Sequence, residues 1–498
     1  MFVLAAAIAA AVPATARADA YGAPIIANTV TSGHQEVTGV FSCAHRNSAV
    51  LWTDTGRGDG LYSRLFSGGG IALQPSENFV NPTGGAVPGT GCFATTTTLS
   101  DGDGGGAFVT VYDQAGNVVI PQFRANDTIS GIQVAASAAV NASGQFAVSW
   151  LDARVMPNVI IWSVYVKLFR ANGTSVAPAQ LVFTAASGDT AGLPSIAIND
   201  QSAFVVAWQT GGGPNYDVYF RRYSSSGFAS GPALLAAANS AGFQMAQNVA
   251  IGPAGDFVVA WETSPDRVTG WQSYARHFDA NSAALTGDIQ ITTEANMNFH
   301  SPNVAMDPSG NFMVTWYDWH NESGVQSQVF ARYYSSAGIA LGPQLVVPTD
   351  TTLVSYLPVI AMDGDGNATI AWWQFDPVKG DVDVAVRRYQ PVGITVQPIA
   401  DGATIDDLSG ATGSWQYFKV TVPPGHSTVD IFISGSVGDA DLYVRYGAIP
   451  SATSWDGRPF LNGSNEGAEM LNFPAGDWHI GINGFAAYSS LSLEVISH

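Results

Sequence analysis

Charged residues are scarce in this chain. Asp, Glu, Lys and Arg make up 12% of its 498 residues, about half the usual quarter. Basic residues are scarcer still: 19 Lys and Arg stand against 39 Asp and Glu, a net charge of −20. That balance argues against a nucleic-acid partner, because phosphate binding needs a basic surface. An acidic surface keeps an exported protein soluble and attracts cations. Cysteine is nearly absent, with Cys43 and Cys92 alone. In an oxidising compartment two cysteines predict one disulfide; a Cys43/His45 nucleophile pair on one strand face is the alternative. No run beyond the N-terminus is long and apolar enough for a membrane-spanning helix. Catalytic signatures are missing as well: there is no His-Glu-x-x-His, no Gly-x-Ser-x-Gly elbow and no Walker loop. Paired carboxylates for glycoside cleavage stay open, since their separation is set in three dimensions.

Residues 1–20 read as a secretory signal. The apolar stretch Phe2 to Val12 leads to Ala18-Asp19-Ala20, an A-x-A-type cleavage site, with Ala16-Arg17-Ala18 as a second choice. No Lys or Arg precedes the apolar stretch, so either the start lies upstream or the signal is atypical. The mature protein is expected outside the cytoplasm, secreted or periplasmic.

What is abundant is Gly, with 54 residues, and aromatics at 11%. With Thr, Ser and Val beside them, these favour β-structure with tight turns. The middle of the chain repeats itself. One copy runs Pro302-Asn-Val-Ala-Met-Asp, a Pro-Ser-Gly turn, then Asn311-Phe-Met-Val-Thr-Trp316, then Val329-Phe-Ala-Arg-Tyr-Tyr334, then Leu345-Val-Val347. The tryptophans of successive copies, Trp150, Trp208, Trp261, Trp316 and Trp372, are 58, 53, 55 and 56 residues apart. Four short strands in that length fit a propeller blade and are too few for an immunoglobulin-type sandwich. The Trp-Asp signature of WD40 blades and the Asp box of sialidase propellers are absent. Two upstream copies, around Trp52 and over 92–112, bring the count to seven; six or eight is the alternative. The apolar run Gly22 to Val30 resembles the last strand of a copy and precedes the first one. The expectation is an all-β chain: a seven-bladed β-propeller over 21–395 with the N-terminal strand closing the last blade, which removes a sheet edge. The recurring aromatics pack blade against blade, and Arg221/Arg222 and Arg387/Arg388 alternate between the faces of their strands to reach neighbouring carboxylates or carbonyls.

The loops joining second and third strands are the most varied. They carry Arg57, Arg154, Glu262, Arg267, Asp318, Trp319 and His320, and the loops before the first strands carry His300 and Tyr356. Both sets emerge on one face and suit a polar ligand such as a sugar chain or peptide. Arg57, Arg154, Glu262, Arg267, Trp319 and Tyr356 are the candidate ligand-binding residues. His300, Asp318 and His320 are the candidate catalytic ones. Alternating aspartates at Asp101/Asp103 and Asp363/Asp365 supply oxygen ligands of the kind calcium takes, although neither stretch has the full calcium-loop pattern and a plain hairpin turn is the other reading.

After Tyr389 the pattern changes. A linker is expected over 396–408 and a separate β-sandwich over 409–498. Gly413-Ser-Trp-Gln-Tyr-Phe-Lys-Val-Thr-Val-Pro-Pro-Gly425, Ser434-Gly-Ser-Val-Gly-Asp-Ala-Asp-Leu-Tyr-Val-Arg-Tyr-Gly447 and Gly476-Asp-Trp-His-Ile-Gly-Ile-Asn-Gly484 alternate with a period of two. This stretch closely resembles the bacterial pre-peptidase C-terminal domain, whose signature is Gly-Asp-Ala-Asp-Leu-Tyr-Val-Arg. The resemblance implies a β-sandwich of the kind carried by secreted proteases and other exported hydrolases, similar to collagen-binding modules, some of which bind calcium. Asp439 and Asp441 are the ligand candidates it suggests. Where family members often place two cysteines, this chain has Gly457 and Gly467. The expected function is an exported binding protein, its partner an extracellular glycan, protein or insoluble polymer. The alternative is a secreted hydrolase or lyase acting on polysaccharide, or, further off, a peptidase.

Overall fold

The structure, a computed structural model, describes residues 23–498 apart from 43–46, 59, 68–71, 81–86, 88–89, 158, 193, 213–214, 268–269, 293–297, 320–326, 342, 391–395, 411–414, 427, 436, 448, 451–454, 460, 462 and 472–474. Among the described residues every element is a β-strand except the single 3-10 turn Thr55–Arg57. The expected signal peptide lies outside the described residues.

Before Tyr389 the strands form six sheets. Four have four strands, one has three and one has nine. The nine-stranded sheet is two up-and-down units joined by a single parallel bridge, Tyr216 to Phe243. Counted separately, the units open on Gln35–Ser42, Phe93–Ser100, Ile132–Val140, Ser195–Ile198, Phe243–Ile251, Asn298–Met306 and Val354–Met362. Residues of these opening strands line one cavity of about 1100 Å³, among them Val40, Thr96, Ala138, Ala197, Ala250, Ala305 and Ala361. Small residues there let the strands approach one another.

The repeated aromatics explain why each unit holds its register. Trp150 stacks on Tyr165 at 5.9 Å, Trp208 on Tyr219 at 6.0 Å, Trp261 on Tyr274 at 6.1 Å and Trp316 on Phe330 at 6.0 Å. At the other end of the same strand pair Phe146 meets Phe169, Phe204 meets Tyr223, Phe257 meets Phe278 and Phe312 meets Tyr334, all within 5.2 Å. Each such cross-strand pair adds about 0.5–1.5 kcal/mol beyond the burial of its area. The indoles are buried between one unit and the next.

On four of the third strands an arginine joins neighbouring units. Arg221 donates from Nε to Gly231 O at 2.9 Å and from Nη1 back to Val182 O of the preceding unit at 3.3 Å. Arg276 does the same to Thr286 O (3.2 Å) and Ala236 O (3.3 Å), and Arg387 reaches Val347 O at 2.8 Å. In the first unit Arg64 reaches Gln74 O at 3.1 Å and Ala27 O at 3.0 Å. Ala27 thus stands where a preceding unit's last strand would stand. Its neighbours Ile25–Ile26 pair antiparallel with Asp381–Tyr389 of the last unit, as the sequence led us to expect. Asn28 secures this strand, accepting from Val384 N at 2.8 Å and donating to Asp383 at 2.7 Å. The neighbouring Arg388 points the other way. It is buried, bonds Asp363 at 2.8 Å within its unit and donates to Ser67 O of the first unit at 3.0 Å.

The C-terminal region is two four-stranded sheets face to face. One contains Val396–Pro398, Trp415–Val422, Gly476–Gly484 and Ala440–Tyr446; the other contains Thr404–Gly410, Tyr488–Ser497, Thr428–Ser434 and Glu466–Leu471. Phe418, Leu442, Trp478 and Ile480 from one sheet pack on Ile431, Ile433, Leu491 and Leu493 from the other, the alternation that a sandwich requires. The sandwich therefore begins at Val396, inside the stretch expected as linker. Pro398 lies on an edge strand, where a missing N–H is tolerated. A Cβ on Gly457 would come within 2.7 Å of Met470 Sδ, and one on Gly467 within 2.5 Å of the Phe432 ring. Met470 and Phe432 occupy the space beside these two glycines. One ion pair, between Asp365 and Arg445, joins the sandwich to the last unit of the repeat region, with side chains 3% and 0% exposed.

Candidate functional site

The residue that follows each recurring tryptophan is not repeated. It is Thr53, Leu151, Gln209, Glu262, Tyr317 and Trp373 in turn. The strand alternates, so while the tryptophan faces the core its successor faces the other side. In the fifth to seventh units these successors meet the starts of the opening strands and form a continuous arc of rings.

Trp271 packs against His300 with ring centres 5.6 Å apart. His300 lies 5.7 Å from Tyr317, its partner across the strand pair. Tyr317 contacts Trp319 at 6.5 Å and Tyr356 at 6.4 Å. Tyr356 contacts Trp373 at 5.3 Å, and the Trp373 indole donates to Val37 O of the first unit at 3.4 Å. Trp319 is 47% exposed and stands at the edge of the arc. Two bulges shape it. The register slips between His300 and Asn303 and between Tyr356 and Val359, and Ser301 (φ 52°) and Leu357 (φ 50°) take left-handed backbone there. Both precede a proline, Pro302 and Pro358. Non-glycine residues in this conformation are strained and concentrate where a side chain must be re-aimed.

Glu262 anchors the middle of the arc. Its carboxylate accepts from Ser301 N at 3.0 Å and lies 3.4 Å from His300 Nδ1. With Nδ1 turned to the carboxylate, Nε2 is left as the ring's other polar edge. Burial raises the pKa of the Tyr317 hydroxyl above the usual phenol value, and the Glu262 carboxylate raises it further. Burial does the same to Tyr356, helped by Glu36. Both phenols are therefore neutral hydrogen-bond donors at neutral pH.

Of the residues singled out from sequence, Glu262, His300, Trp319 and Tyr356 come together here. Asp318 is buried and its carboxylate accepts from Gln328 N, holding the loop. His320 lies outside the described residues. Arg57 is held by Asp54 at 2.5 Å and Glu77 at 2.9 Å and lies over Tyr62. Arg154 pairs with Asp152 at 3.2 Å. Arg267 stacks over Tyr216 and Phe243. Trp271, Tyr317, Trp373 and Glu36 were not singled out; comparing the repeats at the position after each tryptophan would have found Tyr317 and Trp373.

The aspartates suggested for calcium are engaged by donors. Asp101 accepts from Asp103 N at 3.4 Å and faces Arg124 at 3.7 Å. Asp363 accepts the N–H groups of its own turn, at Asp365 and Asn367, and the Arg388 guanidinium. Asp365 pairs with Arg445. Asp439 accepts from Gly463 N at 3.1 Å, and Asp441 pairs with Arg458 at 2.8 Å. No group of three or more metal-ligating side chains occurs among the described residues. Cys92 is disulfide-bonded; Cys43, the chain's other cysteine, lies outside the described residues.

Residues 416–484 match the family described as the bacterial pre-peptidase C-terminal domain, so the C-terminal module has the kinship its motifs implied. Alkaline serine exoprotease A of Vibrio alginolyticus is 38% identical over 97 residues, 19% of this chain and 18% of the exoprotease. An extracellular protease of Xanthomonas campestris is 22% identical over 325 residues, 64% of this chain and 51% of the protease. The chain thus spans at most about half the length of these curated relatives. Among solved structures, an alpha-L-arabinanase of Penicillium chrysogenum complexed with arabinobiose superposes with a TM-score of 0.38 and 11% identity, over 73% of this chain and 98% of the arabinanase. A likeness that distant says nothing of activity. The Xanthomonas relative is extracellular by name, and among the described residues no helix is long and apolar enough to cross a membrane. The relative's name accords with an extracellular protein.

Proposed function

We propose that this is an exported bacterial binding protein whose repeat region, a closed seven-bladed propeller, takes a sugar chain along the arc from Trp271 to Trp373, while the C-terminal module aids attachment. Closure is supported by the Arg64 bond to Ala27 O, which repeats between the last and first units the contact made between other neighbours. The observation that carries the binding reading is the arc itself. Five rings in succession, with polar edges at His300, Tyr317 and Tyr356, match the alternating apolar faces and hydroxyls of a sugar chain. Affinity electrophoresis of the full chain through gels holding neutral or charged polysaccharides tests the reading. Retardation by at least one, lost in Tyr317→Ala and Trp319→Ala, is expected; equal mobility of wild type and variants in every gel would refute it.

A second reading, polysaccharide cleavage, is favoured by the Glu262–His300 pair. A carboxylate that orients an imidazole is a general-base arrangement. Release of reducing ends by the wild type, abolished in His300→Ala, would establish it; binding without release leaves the arc a recognition site.

A further inference from the structure

Glu36 opens the first unit beside Val37, whose carbonyl takes the Trp373 indole. It is partly exposed, and its carboxylate makes no hydrogen bond or ion pair among the described residues. Its strand, Gln35–Ser42, packs on the two strands that carry Tyr356 and Trp373, which places Glu36 at that end of the arc. Glu262 occupies the middle, already engaged with Ser301 N and His300. Among the described residues no Lys or Arg pairs with Glu36 or Glu262, and none lies over Trp271, Tyr317, Tyr356 or Trp373. The arginines of the same face are taken up by other partners: Arg57 by Asp54 and Glu77, Arg154 by Asp152, and Arg267 by the rings of Tyr216 and Phe243.

We infer that the arc selects a sugar chain with free amino groups, an ammonium settling between the Glu36 carboxylate and the faces of Tyr356 and Trp373. This rests on the sugar-chain reading above and narrows it. An ammonium is drawn to the negative face of an aromatic ring and to an unpaired carboxylate at once. A polyanionic chain meets two carboxylates and a protein of net charge −20, which repel it. A neutral chain gains the ring contacts but leaves the carboxylate without a partner, so it binds less well.

Calorimetry on the full chain with a glucosamine hexamer and with its fully N-acetylated counterpart, both at pH 6, tests this. Wild type, Glu36→Gln, Tyr317→Ala and Asp279→Asn are compared. The last removes one exposed carboxylate from a turn remote from the arc and controls for net charge. Binding of the free-amine hexamer at least tenfold tighter than the acetylated one is expected. Glu36→Gln is expected to weaken it about tenfold, and Asp279→Asn to leave it unchanged. Equal loss in Glu36→Gln and Asp279→Asn overturns the inference, since attraction would then be diffuse. Equal affinity for the two hexamers, both lost in Tyr317→Ala, overturns it while leaving the sugar-chain reading intact. Binding of neither, or of both irrespective of Tyr317, overturns the two together.

Discussion

Trp261 shows how much one side chain carries in this fold. It is 1% exposed and packs against both Tyr274 and the neighbouring unit. Trp261→Ala removes that contact and leaves a cavity between units, a change that costs about 3–5 kcal/mol; urea unfolding should show a midpoint lowered accordingly with the slope unchanged. The residue immediately after it, Glu262, belongs to the arc, so a shift of one position moves from scaffold to site. A second single-residue effect concerns His479 in the sandwich. Burial pushes its pKa down to about 4, and nearby Lys419 adds to the effect. The unfolded chain therefore takes up a proton near pH 6.5 that the folded chain refuses until about pH 4. Its stabilising share is complete above the unfolded value and is lost as pH falls through that window, up to about 3 kcal/mol. The protection factors for hydrogen exchange of the strand Gly476–Gly484, taken relative to the intrinsic rate at each pH, should fall between pH 6.5 and 4.5 in the wild type and change less in His479→Gln.

At the scale of elements, the N-terminal strand is short but well fixed. Ile25–Ile26 forms two residue pairs, and Asn28 adds a donor and an acceptor beyond them. Asn28→Ala leaves Val384 N without its partner, a loss of about 1–3 kcal/mol, and exchange at Val384 should become much faster while Ala147, in the third unit, is unaffected. The strand's role was legible because its apolar run matches the last strand of a repeat that has lost its own. The repeat itself was legible from tryptophans at a nearly constant spacing. Less of the site could be read. Glu262 and His300 stood out by chemistry, but their meeting depends on two units packing side by side and on a bulge at Ser301, which no local pattern announces. The acidic turns were ambiguous for a physical reason: an aspartate that caps its own hairpin and one that binds a cation have the same Asp-Gly-rich sequence, and at Asp363 the oxygens accept from the N–H groups of the turn and from Arg388. The edge strand Val396–Pro398 was hidden by its proline, which reads as linker.

For the molecule as a whole, Asp365 carries the link between the two regions. The tips of comparable turns, Ser143 and Ser309, are exposed, whereas the Asp365 side chain is 3% exposed against Arg445. The arginine that ends the family signature thus seats the sandwich on the last unit. Asp365→Ala should free it, read as a larger radius of gyration in small-angle scattering with the unfolding of each region unchanged. The arc and this seat lie at opposite ends of the last unit's first two strands, Tyr356 and Trp373 at one end and the Asp363–Asn367 turn at the other. A seated module thus leaves the arc open to a long chain. Hydroxyl-radical footprinting of the full protein, with and without a bound sugar oligomer, tests that arrangement most directly. The account predicts protection of Trp319, Tyr356 and Trp373 and none at Phe485, an exposed aromatic of the sandwich. Protection at Phe485 with Trp319 and Tyr356 unchanged would contradict it.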